Sequence, residues 1–285
     1  PEAVYFKAVR QLADTPQHPT LRQMPEGHTI HRIARDHDRD FTGQRLTVQS
    51  PQGRFTEGAN ALDGKKLKSV VAHGKHLCYE FTAGKRLHIH LGLYGKFRQH
   101  NAPPPEPRGA VRLRVIGENH AFDLNGPTRC ELITKQAWAK ILDRLGPDPL
   151  REDAEPDAAW ERIHKSRQAI GKLLMDQSVI AGVGNVYRAE LLFLLGIHPE
   201  RPGQQITRGE FDALWQKLVE LLQIGVKYNR IIIADPKDVG KARSKMNRQE
   251  RLLIYKRELC VQCDGPVTQW ELGARRAYAC ENCQQ

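Results

Sequence analysis

Four cysteines near the end of the chain have the spacing of a metal site. Cys260/Cys263 and Cys280/Cys283 are two Cys-x-x-Cys pairs with sixteen residues between them. Zn²⁺ takes four soft ligands in a tetrahedron, and the x₂ spacing lets one tight turn supply two thiolates. All four corners are then protein sulfur, so the ion is structural and not catalytic. Two disulfides are the competing reading. The intervening stretch fits a β-hairpin whose tip, Glu271 to Tyr278, has Gly273 for the turn and presents Arg275 and Arg276. A second feature is Pro25-Glu26 directly after Met24. Removal of that methionine exposes a secondary amine; a free α-amine titrates near ~7.7–8.0 and is partly neutral at physiological pH. A neutral amine can attack an electrophilic sugar carbon and form an iminium, with the neighbouring carboxylate as acid or base. Otherwise the dipeptide is a plain helix start. Third is Lys75, in His73-Gly74-Lys75-His76, at a hairpin turn; fourth is Ala181-Gly182-Val183-Gly184-Asn185. The glycines let backbone approach closely, and a helix N-terminus offers N–H groups to an anion such as a phosphate. Taken singly, the lysine reads equally as a solvated charge and the glycine run as a tight turn.

The elements that carry these groups are of three textures. Residues 1–23 form a leader in which Val4, Ala8 and Leu12 allow a short helix before Pro16 and Pro19. A helix follows Gly27. From Arg45 to Thr134 short β-rich runs are expected at Leu46–Val48, Leu67–Val71, His76–Phe81, Leu87–Leu91, Val111–Val115 and Ala121–Leu124, with glycines between them. This is an antiparallel sandwich or barrel pattern. Asn101–Arg108 holds four prolines and is a surface loop. Cys78 and Cys130 sit in strand-like runs as small core residues. Helices are expected at Gln136–Leu145, Trp160–Ser166, Ala169–Met175 and Asn185–Leu195. Another starts at the Thr207/Glu210 capping box and closes at Gly225. Lys237–Arg251 reads as basic, polar and mobile. The fold class is α+β: residues 1–24 a leader, 25–149 a β-sandwich domain, 150–249 a helical domain and 250–285 a zinc-ribbon finger.

The formal charge of +11 and pI of about 9.5 favour a polyanionic partner, foremost nucleic acid. No run of eighteen apolar residues is present and no signal peptide is visible, so neither a membrane span nor secretion is expected. The cysteine set fits a reducing compartment.

In this order, these motifs resemble the formamidopyrimidine-DNA glycosylase/endonuclease VIII family. The resemblance runs from Met24 to Gln285. It is carried by Pro25-Glu26-Gly27, Gly74-Lys75, Leu93-Tyr94-Gly95, Asp176-Gln177 with Gly182-Val183-Gly184-Asn185, and the four-cysteine ribbon with Arg275. It implies an N-terminal β-sandwich, a helical domain with a helix–two-turn–helix, and a zinc finger, with DNA in the cleft between them. It also implies roles. Pro25 is the nucleophile at the sugar C1′, and Glu26 moves protons. Lys75, Asn185 and Arg275 hold phosphates, and Leu93 and Tyr94 fill the gap left by a flipped nucleotide. The implied activity is a bifunctional glycosylase/AP lyase of base-excision repair, of the endonuclease VIII branch acting on oxidised pyrimidines. The partner is double-stranded DNA with oxidised bases or abasic sites; the protein is a monomer, cytoplasmic and nucleoid-associated. Thr29 stands where many relatives carry a glutamate that assists the chemistry, which predicts a weakened lyase step. An acylated Pro25 cannot form the iminium, so Met24 is the expected start. The alternatives are excision of oxidised purines, a non-catalytic zinc-stapled DNA-binding protein if the leader is retained, and a ribosome-associated RNA-binding ribbon.

Overall fold

The computed structural model describes residues 25–285; the leader expectations, including those on Met24, lie outside them. The chain divides into two compact units, one ending at Arg144 and one beginning at Leu145.

The first unit opens with α1 (Gly27–Phe41). Ile30, Ala34, His37 and Phe41 recur at steps of three and four and are buried, so one stripe of the helix faces the core. Then come β1 (Thr47–Gln49), α2 (Thr56–Leu62), β2 (Leu67–His73), β3 (His76–Phe81), β4 (Arg86–His90), β5 (Lys96–Asn101), β6 (Val111–Ile116), β7 (His120–Asn125), β8 (Arg129–Ile133) and α3 (Lys135–Leu142). The strands make two antiparallel four-stranded sheets, β1-β6-β7-β5 and β2-β3-β4-β8. The expected sandwich is therefore present. Leu77, Tyr79, Phe81, Leu87 and Ile89 alternate inward and are buried, as the strand period of two demands. Helix α1 is tied to β2 where Val70 donates its N–H to the Asp38 carboxylate at 2.8 Å.

One strand, β5, and one helix were not foreseen; β8 was expected only as a strand-like run around Cys130. β5 carries one apolar residue in six, Phe97, and the burial of both β5 and β8 is intermediate or exposed. Periodicity is weak where pairing with β7 and β4 supplies the structure. Helix α2 is short. Cys78 is buried as expected, but Cys130 is only half-buried. The proline loop is mostly exposed.

The second unit contains α4 (Pro156–His164), α5 (Ile170–Leu173), α6 (Asn185–Leu194), α7 (Arg208–Tyr228), α8 (Pro236–Val239), α9 (Arg248–Arg251), β9 (Thr268–Leu272) and β10 (Arg275–Ala279). Its core gathers Tyr187, Leu191 and Leu192 of α6 with Phe211, Leu214, Leu218, Leu221 and Leu222 of α7. The Thr207/Glu210 capping box is formed.

Two expectations fail here. Gly225 does not close α7: it is buried inside the helix, which runs on to Tyr228 and ends at Asn229 with φ 53°. Gly225 continues the buried stripe of Leu218, Leu221 and Leu222, and packing outweighs a glycine penalty of about 1 kcal/mol. Residues 237–251 are not structureless. The Asp235 side chain caps α8, an Asn247/Glu250 capping box starts α9, and Met246 between them is buried. Local caps order a segment whose composition is too polar to show a stripe.

Candidate functional site

Glu26 is the N-cap of α1, with extended backbone (φ −117°, ψ 177°). Its carbonyl accepts from Thr29 N at 2.9 Å, while its carboxylate does not cap the helix. The side chain is buried, and Pro25 before it is half-buried. Next along the helix, His28 is 1% exposed, and burial drives its pKa down to about 3, so the ring is neutral at physiological pH.

Lys75 occupies the two-residue turn between β2 and β3, where His73 pairs with His76. Gly74 precedes it with φ 55°, the positive φ that the first central residue of a tight hairpin needs. Helix α1 packs on β2 and β3, so the head of that helix and this turn belong to adjoining elements. Around the turn the structure adds residues that no motif flagged. His90 on β4 lies opposite His76, and its pKa is lowered by burial first, then by His88 and Lys75. His76 Nδ1 and His88 Nε2 are 2.9 Å apart, and His88 Nδ1 is 3.1 Å from Glu131 Oε1. The His-x-His repeat in β4 was the available signal; only strand pairing shows that it meets His76.

Leu93 and Tyr94 are in the turn joining β4 to β5, 42% and 70% exposed. They are not packed on the sheet. Gly92 makes the turn: its φ is 64°, and a Cβ there would lie 1.8 Å from Thr128 Oγ1.

In the second unit Gln177 organises the glycine joint. Its Nε2 donates to Met175 O (3.1 Å) and Val183 O (3.0 Å), and its Oε1 accepts from Gly182 N at 3.0 Å. Helix α6 starts at the end of that joint. Asn185, 4% exposed, donates Nδ2 to the carbonyl of Arg276 at 3.1 Å, and its Oδ1 accepts from Arg188 Nη2. The asparagine therefore meets the tip of the hairpin formed by β9 and β10, where Leu272 pairs with Arg275. Arg275 and Arg276 are both exposed.

The four cysteines converge, their sulfurs within 4.8 Å of one another, and all are free thiols. No two of them are joined as a disulfide in the structure. Sγ–Sγ separations of 3.8 Å (Cys260–Cys283) and 3.4 Å (Cys263–Cys280) sit near the roughly 3.8 Å edge of a tetrahedron with metal–sulfur bonds of about 2.3 Å. The Gly265 N–H draws the Cys263 thiol down to about 7, whereas burial raises Cys260 and Cys283. The four sulfurs could hold a metal ion. Among the described residues no helix is long and apolar enough to cross a membrane.

A two-sheet sandwich, a helical unit with a glycine joint and a four-cysteine hairpin define a helix–two-turn–helix protein with a terminal cysteine finger. Residues 24–129 match the formamidopyrimidine-DNA glycosylase N-terminal domain, and residues 145–237 its H2TH domain. Endonuclease 8 1 of Mycobacterium tuberculosis is 48% identical over 267 residues, spanning 92% of this chain and 100% of that protein. The formamidopyrimidine-DNA glycosylase of Acinetobacter baylyi is 30% identical over 80% of this chain and 85% of its own. The Lactococcus lactis Fpg, solved in complex with DNA containing an abasic site, superposes with a TM-score of 0.75 at 26% identity, covering 91% of this chain and 99% of that one. The chain belongs to the formamidopyrimidine-DNA glycosylase/endonuclease VIII family of base-excision repair, whose homologues are DNA N-glycosylases with AP lyase activity.

Proposed function

We propose that this chain is a bifunctional DNA glycosylase/AP lyase that removes oxidised pyrimidines from double-stranded DNA and nicks the strand by β-elimination. The observation that carries the reading is the 48% identity to Endonuclease 8 1 over that protein's whole length. The buried Glu26 beside Pro25 at the head of α1 supports it. Residues 25–149 are the catalytic sandwich, 150–249 the helical domain and 250–285 the finger.

Pro25, with its nitrogen unacylated, attacks the sugar C1′ and displaces the damaged base, giving an iminium. Glu26 protonates the opening sugar and later shuttles protons. Lys75 meets a phosphate near the lesion. Arg275 meets another, and the second amide hydrogen of Asn185 a third. A base inside a duplex must be swung out at a cost of a few kcal/mol; exposed Leu93 and Tyr94 fill the vacated space. Zn²⁺ in the four-thiolate site is structural and holds the hairpin that presents Arg275.

Borohydride trapping on an abasic duplex tests the mechanism. The protein beginning at Pro25 forms a covalent adduct, and the same protein acetylated on Pro25 does not. Equal adduct from both places the amine elsewhere. Thymine glycol and 8-oxoguanine duplexes test the branch: faster release of 8-oxoguanine transfers the chain to the purine class.

A further inference from the structure

Helix α6 buries three polar side chains within two turns: Asn185, Arg188 and Glu190 are 4%, 1% and 0% exposed. Buried charges are rare unless paired or fully hydrogen-bonded, and these are bonded to the tip of the cysteine hairpin and to the segment that leads into it. In that segment, the Glu190 carboxylate accepts three consecutive backbone N–H groups, from Leu253 (2.7 Å), Ile254 (3.1 Å) and Tyr255 (2.8 Å). At the tip, Arg188 donates Nη2 to the carbonyl of Arg276 at 2.9 Å and to Asn185 Oδ1, and Nη1 to Gly171 O at 3.3 Å. Arg188 thus joins α5, α6 and β10 through one guanidinium.

The bond to Arg276 O has a consequence for the residue before it. Backbone groups of successive strand residues point to opposite edges, and successive side chains to opposite faces. Arg275 pairs across to Leu272 of β9, so the carbonyl of Arg276 faces α6. Two donors on that one oxygen fix the rotation of β10 about its own axis, and with it the direction of the exposed Arg275 side chain. We propose that Arg188 is a positioning residue for Arg275: it aims the finger arginine at DNA without touching DNA. The proposal rests on the phosphate-binding reading of Arg275. Glu190 anchors the segment that leads into the hairpin; among the described residues Arg188 and Asn185 hold the tip carbonyl.

The test uses the metal-loaded protein and a duplex carrying a tetrahydrofuran abasic analogue, with affinity read over a salt series. Each phosphate contact contributes about 0.9 to the slope of log K against log salt. Arg275→Ala is expected to lower that slope by about 1 and to weaken binding about tenfold. Arg188→Met is expected to do the same, with the loss in KM and not in kcat on the abasic substrate, and the double variant to lose no more than either alone. Arg188→Lys, which keeps a donor at the carbonyl, is expected to restore part of the slope. The absorption of the Co²⁺-substituted cysteine site reports whether the hairpin root is intact. If Arg188→Met loses that spectrum, Arg188→Lys with the spectrum retained decides the matter: a reduced slope supports the proposal and a wild-type slope overturns it. Additive losses in the double variant also overturn it. A wild-type slope in Arg275→Ala defeats the phosphate reading of Arg275 itself, a separate failure from a full Arg275 effect with none from Arg188.

Discussion

Replacing Gly92 by alanine tests how the turn bearing Leu93 and Tyr94 is built. Two costs add. Gly92 has φ 64°, a left-handed conformation that costs an L-residue roughly 1–2 kcal/mol. The new Cβ would also lie 1.8 Å from Thr128 Oγ1 and 3.0 Å from Thr128 Cβ, and overpacking of this kind costs about 1–3 kcal/mol. The expected loss is therefore about 3 kcal/mol, a large share of a stability of roughly 5–15 kcal/mol. The two parts separate in a double-mutant cycle. Thr128→Ala removes the hydroxyl and methyl and leaves only the Cβ contact at 3.0 Å, so Gly92→Ala in that background should cost the left-handed term of roughly 1–2 kcal/mol plus a small residual contact. Native-state amide exchange of β4 and β5 in the full chain reads the local stability, and excision from a lesion duplex reads the function. A loss that is equal in both backgrounds refutes the steric part. A loss below about 0.5 kcal/mol in the Thr128 background refutes the conformational part as well.

Tyr94→Ala should change stability by less than about 0.5 kcal/mol, since the side chain is mostly exposed, yet slow base release from duplex DNA; an unchanged rate removes it from the wedge. Glu190→Gln should leave at least one of the Leu253, Ile254 and Tyr255 N–H groups without an acceptor and destabilise the second unit by about 2 kcal/mol. Burial raises the Glu190 pKa, so part of the loss is offset by removing a desolvated charge. Unchanged exchange at amides 253–255 would contradict the clamp. Chelating the metal should loosen the hairpin while β3 and β4 keep their exchange protection; simultaneous loss of both would show that the site supports the whole chain. His28, His37 and His76 have folded pKa values of about 3, with desolvation the leading cause. The unfolded chain binds more protons between pH 3 and 6.5, so stability falls as pH drops through that window. The slope is at most about 1.4 kcal/mol per pH unit for each ring, and a urea midpoint flat from pH 7 to pH 4 would count against their burial.

Local chemistry made much of this protein readable in one dimension. The two Cys-x-x-Cys pairs, the Thr207/Glu210 box, the α1 stripe and the alternating core strands each state their structure within a few residues. A tight turn, a cap and a periodic face are short-range devices, so their signals survive without a fold. β5 lacked such a signal because its stability comes from β7, a neighbour distant in sequence. Gly225 misled for a related reason: a local stop signal lost to a continuous buried stripe. Arg188 and Glu190 showed the limit most clearly. On paper they are two charges on an apolar helix; in the fold one guanidinium meets a carbonyl 88 residues away, and one carboxylate meets three amides more than 60 residues on. Which sulfurs, glycines and capping hydroxyls exist was written in the chain, because short-range sterics and ligand chemistry act on neighbours. Which buried charges find partners was decided only by packing, because burial from water is a property of the assembled core and not of any segment of it.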